Sequence, residues 1–60
     1  MDKTQDVLSE EAARATELLQ GKTVLRVIRH DRSVMIEFGD GARFFVDRVE
    51  AGLELSITGT

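Results

Sequence analysis

Three residues with hydrolytic chemistry fall in one predicted row of a sheet. His30 and Ser33 flank a predicted turn between two strands, and Asp47 follows the apolar part of the next strand. A nucleophilic triad needs the histidine between the serine and the aspartate, because the imidazole takes the serine proton while the carboxylate orients it. Here the serine occupies the middle strand, without a nucleophile elbow or a glycine-rich oxyanion donor. We therefore expect no catalytic residues and a solvated sheet end, with His30 and Asp47 as a candidate hydrogen-bonded pair.

Glycines and acids near the turns give no specific sign of a phosphate or metal site. Gly39-Asp40-Gly41 joins two predicted strands, with no following helix N-terminus to hold an anion, so turn formation explains it better. Asp40, Asp47 and Glu50 could gather a hard cation, but they lack the ligand spacing of a calcium loop. Cysteine is absent and histidine occurs once, which excludes thiolate sites and His-cluster zinc sites. We expect no metal and no cofactor.

The charge balance bears on the class of partner. Eight basic and eleven acidic residues give a net charge of −3, which disfavours general binding to nucleic acids or anionic membranes. A local basic patch stays open, although the stacking residues Tyr and Trp are absent from the chain. Five arginines cluster in the strand region: Arg26, Arg29, Arg32, Arg43 and Arg48. No apolar run has the length of a spanning helix or the position of a signal-peptide core, so we expect a cytoplasmic protein.

The clearest local pattern is residues 34–46, VMIEFGDGARFFV. Its two runs alternate with period 2, as strands with unlike faces do, and Gly-Asp-Gly suits a three-residue hairpin loop that ends on a left-handed glycine. On one face the predicted register pairs Val34 with Val46, Ile36 with Phe44 and Phe38 with Ala42. On the other face it pairs Met35 with Phe45 and Glu37 with Arg43.

Residues 22–30, KTVLRVIRH, form the predicted first strand, joined to the hairpin by a two-residue turn at Asp31-Arg32. The register then pairs Leu25 with Phe38, Arg26 with Glu37, Val27 with Ile36 and Ile28 with Met35. These pairs agree with the hairpin in every row. Leu25 and Val27 are expected on the core face.

Residues 47–52, DRVEAG, read as a polar connection to a fourth strand. Leu53, Leu55 and Ile57 alternate with polar residues and give that strand one apolar side. With Val46 opposite Leu53, this side extends the core. A slip of one residue would place it beside Phe45 instead.

Residues 1–20 contain no glycine or proline and favour a helix from about Thr4, with residues 1–7 expected to fray and Gly21 at the C′ position. Asp2 with Gln5 and Ser9 with the acids after it are alternative N-terminal caps. Six residues form an apolar stripe suited to covering one sheet face: Val7, Leu8, Ala12, Ala15, Leu18 and Leu19.

Residues 1–60 are thus predicted to be one α+β domain: an N-terminal α-helix packed on a four-stranded antiparallel β-meander in the order 1-2-3-4. A chain of this length buries only about 60% of its unfolded surface, and without disulfides or metal a partner subunit is the remaining support. The sheet face away from the helix carries an apolar patch with a charged border, which is typical of an interface. The predicted interface comprises Val24, Arg26, Ile28, Met35, Glu37, Arg43 and Phe45. The alternative is that the C-terminal segment folds over this face.

The functional hypothesis is a non-enzymatic protein-interaction module that forms a homodimer or a higher homo-oligomer through that face. The alternative is a small acidic regulator, inhibitor or adaptor. It would bind a larger basic protein, as yet unidentified, through Glu10, Glu11 and Glu17 on the helix. A ligand or catalytic site around His30 is the least favoured hypothesis.

Overall fold

A computed structural model describes the backbone of residues 3–60 and the side chains of residues 5–60. Helix α1 (Lys3–Leu19) precedes four strands: β1 (Val24–Arg29), β2 (Ser33–Phe38), β3 (Arg43–Val49) and β4 (Gly52–Thr58). The strands form one antiparallel sheet in the order β1-β2-β3-β4. The predicted α+β architecture, one N-terminal helix followed by a meander, is confirmed.

The ends of α1 are set by local chemistry. The helix begins at Lys3, so Ser9 lies inside it and is not its cap, while the cap proposed at Asp2 lies outside the described residues. At the other end Gly21 adopts φ +81°, and the amide of Lys22 donates to the carbonyl of Leu19 at 3.1 Å. Glycine reaches this left-handed conformation without steric cost, and the predicted C′ glycine is confirmed.

The β2–β3 hairpin has the predicted register throughout, with Ile36 opposite Phe44 and Met35 opposite Phe45. The amide of Phe38 donates to the carbonyl of Ala42 at 2.9 Å, and the amide of Gly41 donates to the carbonyl of Phe38 at 3.1 Å. Gly41 has φ +93°, which is the left-handed position that ends a three-residue loop.

Strand β1 pairs with β2 as predicted from Arg26 onward, but not at Leu25. Val24, not Leu25, is the partner of Phe38, and a bulge interrupts the ladder between Val24 and Arg26. Beyond the bulge the amide of Gly39 donates to the carbonyl of Thr23 at 2.9 Å. A bulge sets two residues opposite one, so Leu25 becomes the inserted residue and the predicted Leu25–Phe38 pair is wrong.

The segment after Val46 is also corrected. Asp47 to Val49 belong to β3, and Glu50-Ala51 form a two-residue turn, so Val46 lies opposite Leu55 and not opposite Leu53. The charged pair Asp47-Arg48 resembles a loop signal, but Asp47 is half-buried and Arg48 is exposed, so the strand accommodates both charges without burying either. Because the error is two residues, which is one full side-chain period, the apolar side of β4 still joins the predicted face.

We call the sheet face nearer to α1 the helix face. Two apolar rows cross it, Val27–Ile36–Phe44–Ile57 and Val34–Val46–Leu55, and the pair Val24–Phe38 lies beyond the first of them. The helix approaches this face on the β4 side only, across an open groove of about 510 Å³. Among its lining residues are Glu11, Arg14, Ala15 and Leu18 of α1 and Leu53, Leu55 and Ile57 of β4.

Very little of the chain is buried. Among the side chains of residues 5–60, only Phe38 and Ala42 are buried hydrophobics. Leu25 and Val27, predicted for the core, remain 63% and 57% exposed, because α1 does not extend over β1. The Cα extents of 38 × 27 × 13 Å describe a slab and not a closed globule.

Candidate interaction surfaces

The sheet face opposite the helix face carries an apolar row of three side chains, Ile28, Met35 and Phe45, which we call the strip. All three are half-buried, and β4 ends the row with the exposed Ser56. Residues 52–58 extend the sheet beside β3, so the C-terminal strand does not fold over the strip. Val24, predicted for the same surface, pairs instead with Phe38 of the helix face and is 52% exposed.

A row of charges borders the strip on one side. Arg26 Nε donates to Glu37 Oε1 at 2.6 Å, and Arg43 Nη2 lies 3.8 Å from Glu37 Oε2. The Glu37 side chain is only 14% exposed, while those of Arg26 and Arg43 are 60% and 51% exposed. The predicted row is therefore assembled within one chain. The Glu37 carboxylate is bonded within the chain, while the side chains of Arg26 and Arg43 are exposed to solvent.

The other side of the strip is formed by the row that contains His30, Ser33 and Asp47. Ser33 lies opposite Asp47, and the amide of His30 donates to the carbonyl of Ser33 at 2.9 Å, as the register predicts. The fourth member, missed at the sequence level, is Glu54 of β4, which lies opposite Asp47. Serine occupies the middle strand, and within residues 5–60 no side-chain hydrogen bond joins His30 to Asp47.

The hairpin loop has a structural explanation. Asp40 Oδ1 accepts a hydrogen bond from the amide of Ala42 at 3.0 Å, and Asp40 Oδ2 forms an ion pair with Lys22 Nζ. The hydrogen bond from Lys22, followed by that from Ala42, holds the pKa of Asp40 below its usual value of 3.8. Asp47 and Glu50 lie at the far end of β3, and no potential metal site of three or more His, Asp or Glu side chains forms in the described chain.

We expect Asp40→Asn to flatten the dependence of stability on pH at the acid end. Because the folded-state pKa is lowered, this carboxylate stabilises the fold above the unfolded pKa, and the contribution disappears as the pH falls through the folded-state value. Urea unfolding midpoints measured between about pH 5 and pH 2 would show this. Asparagine removes the charge at position 40 but keeps an oxygen that can accept the hydrogen bond from Ala42. Lys22→Met removes the cation that pairs with Asp40 and should likewise flatten the dependence of stability on pH. A curve for Asp40→Asn parallel to that of the wild type would contradict the assignment.

A second groove, of about 300 Å³, lies at one end of the helix face and was not foreseen. We call it the arginine groove because three arginines line it, against one acid; its lining residues are Arg29, Asp31, Arg32, Ser33, Val34, Val46, Arg48 and Leu53. Arg29 Nη1 donates to the carbonyl of His30 and, at 3.3 Å, to that of Ser33. The amide of Arg48 donates to the carbonyl of Arg32 at 2.9 Å, which ties β3 to the β1–β2 turn. The sequence pattern assigned Arg48 to a connecting loop. It therefore did not predict that Arg48 would lie near Arg29 and Arg32.

The N-terminal half of α1 is the third exposed feature. Val7 lies on the same side of α1 as the groove-lining Glu11, Arg14 and Leu18, at spacings i, i+4, i+7 and i+11. Val7 and Leu8 are nevertheless 51% and 52% exposed. The acidic residues Asp6, Glu10, Glu11 and Glu17 are exposed as well. We call residues 5–10 the helix overhang, because neither of the described grooves includes them.

Within the described residues, α1 falls short of the length and apolar character needed to span a bilayer. Comparison of the chain with protein-family models, with curated proteins and with solved structures finds no match. The surfaces described above are therefore the basis for any functional assignment.

Proposed function

We propose that the chain is a non-enzymatic protein-interaction module that associates with copies of itself, with the strip as a contact surface. The observation that carries the proposal is the open core: among the described side chains, only two apolar ones are buried. Small domains without disulfides or metals commonly obtain the missing burial from a partner subunit. The proposal places the protein in the cytoplasm. It includes neither a nucleic-acid nor a membrane partner, since the net charge of −3 disfavours polyanions.

The charges around the strip support a two-fold contact. The strip runs across the strands between a row with exposed arginines, Arg26 and Arg43, and a row with carboxylates, Asp47 and Glu54. A two-fold axis along the strip would stack apolar row on apolar row and would set each arginine row against the carboxylate row of the other copy. Glu37 is engaged within its own chain, so Asp47 and Glu54 are the carboxylates available to the partner. This gives an apolar centre with a complementary charged rim.

The experiment is a mass measurement in solution by sedimentation or light scattering at micromolar concentration. The wild type should exceed the mass of one chain, and Phe45→Glu should have a lower mass, because a carboxylate would be desolvated in the apolar row. Phe45→Leu, which keeps the position apolar, should retain the wild-type mass. Circular dichroism spectra of the variants serve as the control that each one is folded.

A wild type with the mass of one chain would reject self-association. A Phe45→Glu variant with the wild-type mass would reject the strip as the surface.

The exposed acidic helix favours a second candidate, a small acidic regulator or adaptor for a larger basic protein. Glu10, Glu11 and Glu17 are all exposed, so a basic surface can reach them without rearrangement of the chain. Charge reversal of these residues should abolish capture of such a partner in a pull-down. Capture that is insensitive to the reversal argues against this candidate.

A further inference from the structure

We propose that the helix face is completed by the helix overhang of a second copy, which docks beside the arginine groove in a reciprocal exchange. This inference rests on the proposed self-association and adds a contact distinct from the strip.

The receiving surface is the half of the helix face that its own helix leaves open. Val24 and Val27 on β1 are 52% and 57% exposed, and Leu53 of β4, which lines both grooves, is 68% exposed. Arg29 follows Val27 on the same side of β1, since side chains two apart share a face. The apolar surface is therefore continuous with the arginine groove.

The helix overhang is exposed because it extends past the part of α1 that lines the groove against β4. Val7 and Leu8 carry the apolar stripe of α1 beyond the turns that line the groove against β4, and both are about half exposed. Asp6 and Glu10 are exposed on the same segment. Among the side chains of residues 5–60, this apolar edge and its neighbouring carboxylates meet no packing counterpart.

The two surfaces match in chemistry. The overhang supplies apolar side chains flanked by acids. The open half of the helix face supplies apolar side chains flanked by a groove in which three arginines outnumber the single acid, Asp31. Both halves occur on every chain, so a two-fold contact would use each of them twice. This self-complementarity identifies a second copy, and not a foreign acidic helix, as the occupant.

The test uses full-length chains that carry Phe45→Glu, so that the strip contact is absent. In this background we expect a mass above that of one chain. Asp6→Lys/Glu10→Lys reverses the overhang, and Arg32→Glu/Arg48→Glu reverses the groove, while Arg29 is retained because it bonds the turn carbonyls. Each reversed variant alone should dimerise at least about tenfold more weakly, because like charges then meet.

An equimolar mixture of the two reversed variants should recover the dimer, because each helix then meets a groove of opposite charge. Glu17→Lys/Glu50→Lys, which changes the net charge as much as the helix reversal but lies outside both surfaces, should dimerise like the parent. Raising the salt concentration to about 1 M should weaken the parent dimer, since it shortens the screening length to about 3 Å. This readout needs no helix substitution.

Several outcomes would overturn the inference. If the wild type associates but Phe45→Glu has the mass of a single chain, the helix exchange is rejected and the proposed function is retained. Reversed variants that dimerise like the parent, or a mixture that gains no mass, also reject it. A wild-type chain that is itself monomeric rejects both proposals together.

Discussion

Replacement of Phe38 by alanine should lower the free energy of unfolding by about 3–5 kcal/mol, the usual cost of deleting a buried phenylalanine ring. Phe38 is 6% exposed and is the largest buried side chain among residues 5–60. It is the last residue of β2, it lies opposite Val24 of β1, and its amide donates to the carbonyl of Ala42. In a domain of this size such a loss equals much of the total stability, so we expect the variant to be largely unfolded at 25 °C.

Thermal and urea unfolding followed by circular dichroism would measure the loss. Phe45→Ala is the matched control, because it removes the same ring from a half-buried position and should cost clearly less. Both variants are compared at a concentration where their masses in solution are equal. Equal losses at the two positions would show that burial at Phe38 does not decide the stability of the fold.

The second large effect is expected from Ala42→Leu, which should destabilise the fold by about 1–3 kcal/mol through overpacking. Ala42 is 0% exposed, and its backbone is held on both sides of the residue by hydrogen bonds from Phe38 and to Asp40. A Cβ placed on Gly59 would lie 3.2 Å from the Ala42 Cα, so the C-terminal segment passes close to this residue. Because Ala42 is fully buried, we expect the three added carbon atoms to displace neighbouring atoms, which is costly in a close-packed site.

Ala51 provides the matched control, because it is an exposed alanine in the β3–β4 turn. Ala51→Leu should change the urea midpoint little. If Ala42→Leu unfolds at the same midpoint as the wild type, the space around Ala42 is looser than the structure shows.

Parts of the fold that depend on neighbouring residues were predictable. Alternation around Gly39-Asp40-Gly41 specified the β2–β3 register, because a shift of one residue would break both the Ile36–Phe44 apolar pair and the Glu37–Arg43 charge pair. The features that the alternating pattern does not determine, namely the strand irregularity and the strand end, were not predictable. The bulge at Leu25 leaves no signature in the alternating pattern, and Val49 continues β3 although two charged residues precede it.

The candidate surfaces divide in the same way. The strip follows from side-chain parity, so Ile28, Met35 and Phe45 were placed together correctly. The arginine groove requires Arg48 to be in a strand and Arg32 to lie beside it, which is a tertiary contact that no local pattern encodes. The partial cover by α1 is a matter of helix placement. An amphipathic stripe predicts that a helix packs, but not over which strands.

The bulge in β1 bears on whether the outer strands of the sheet can pair with strands of another chain. An open meander ends in two strands whose outer amides and carbonyls can template a neighbour and so seed fibrils. At β1 the irregularity between Val24 and Arg26 bends and twists the outer strand, which spoils it as a straight template. At β4 the carboxylate of Glu54 is exposed along the outer strand. Addition of further strands, side by side along either edge of the sheet, is thereby discouraged.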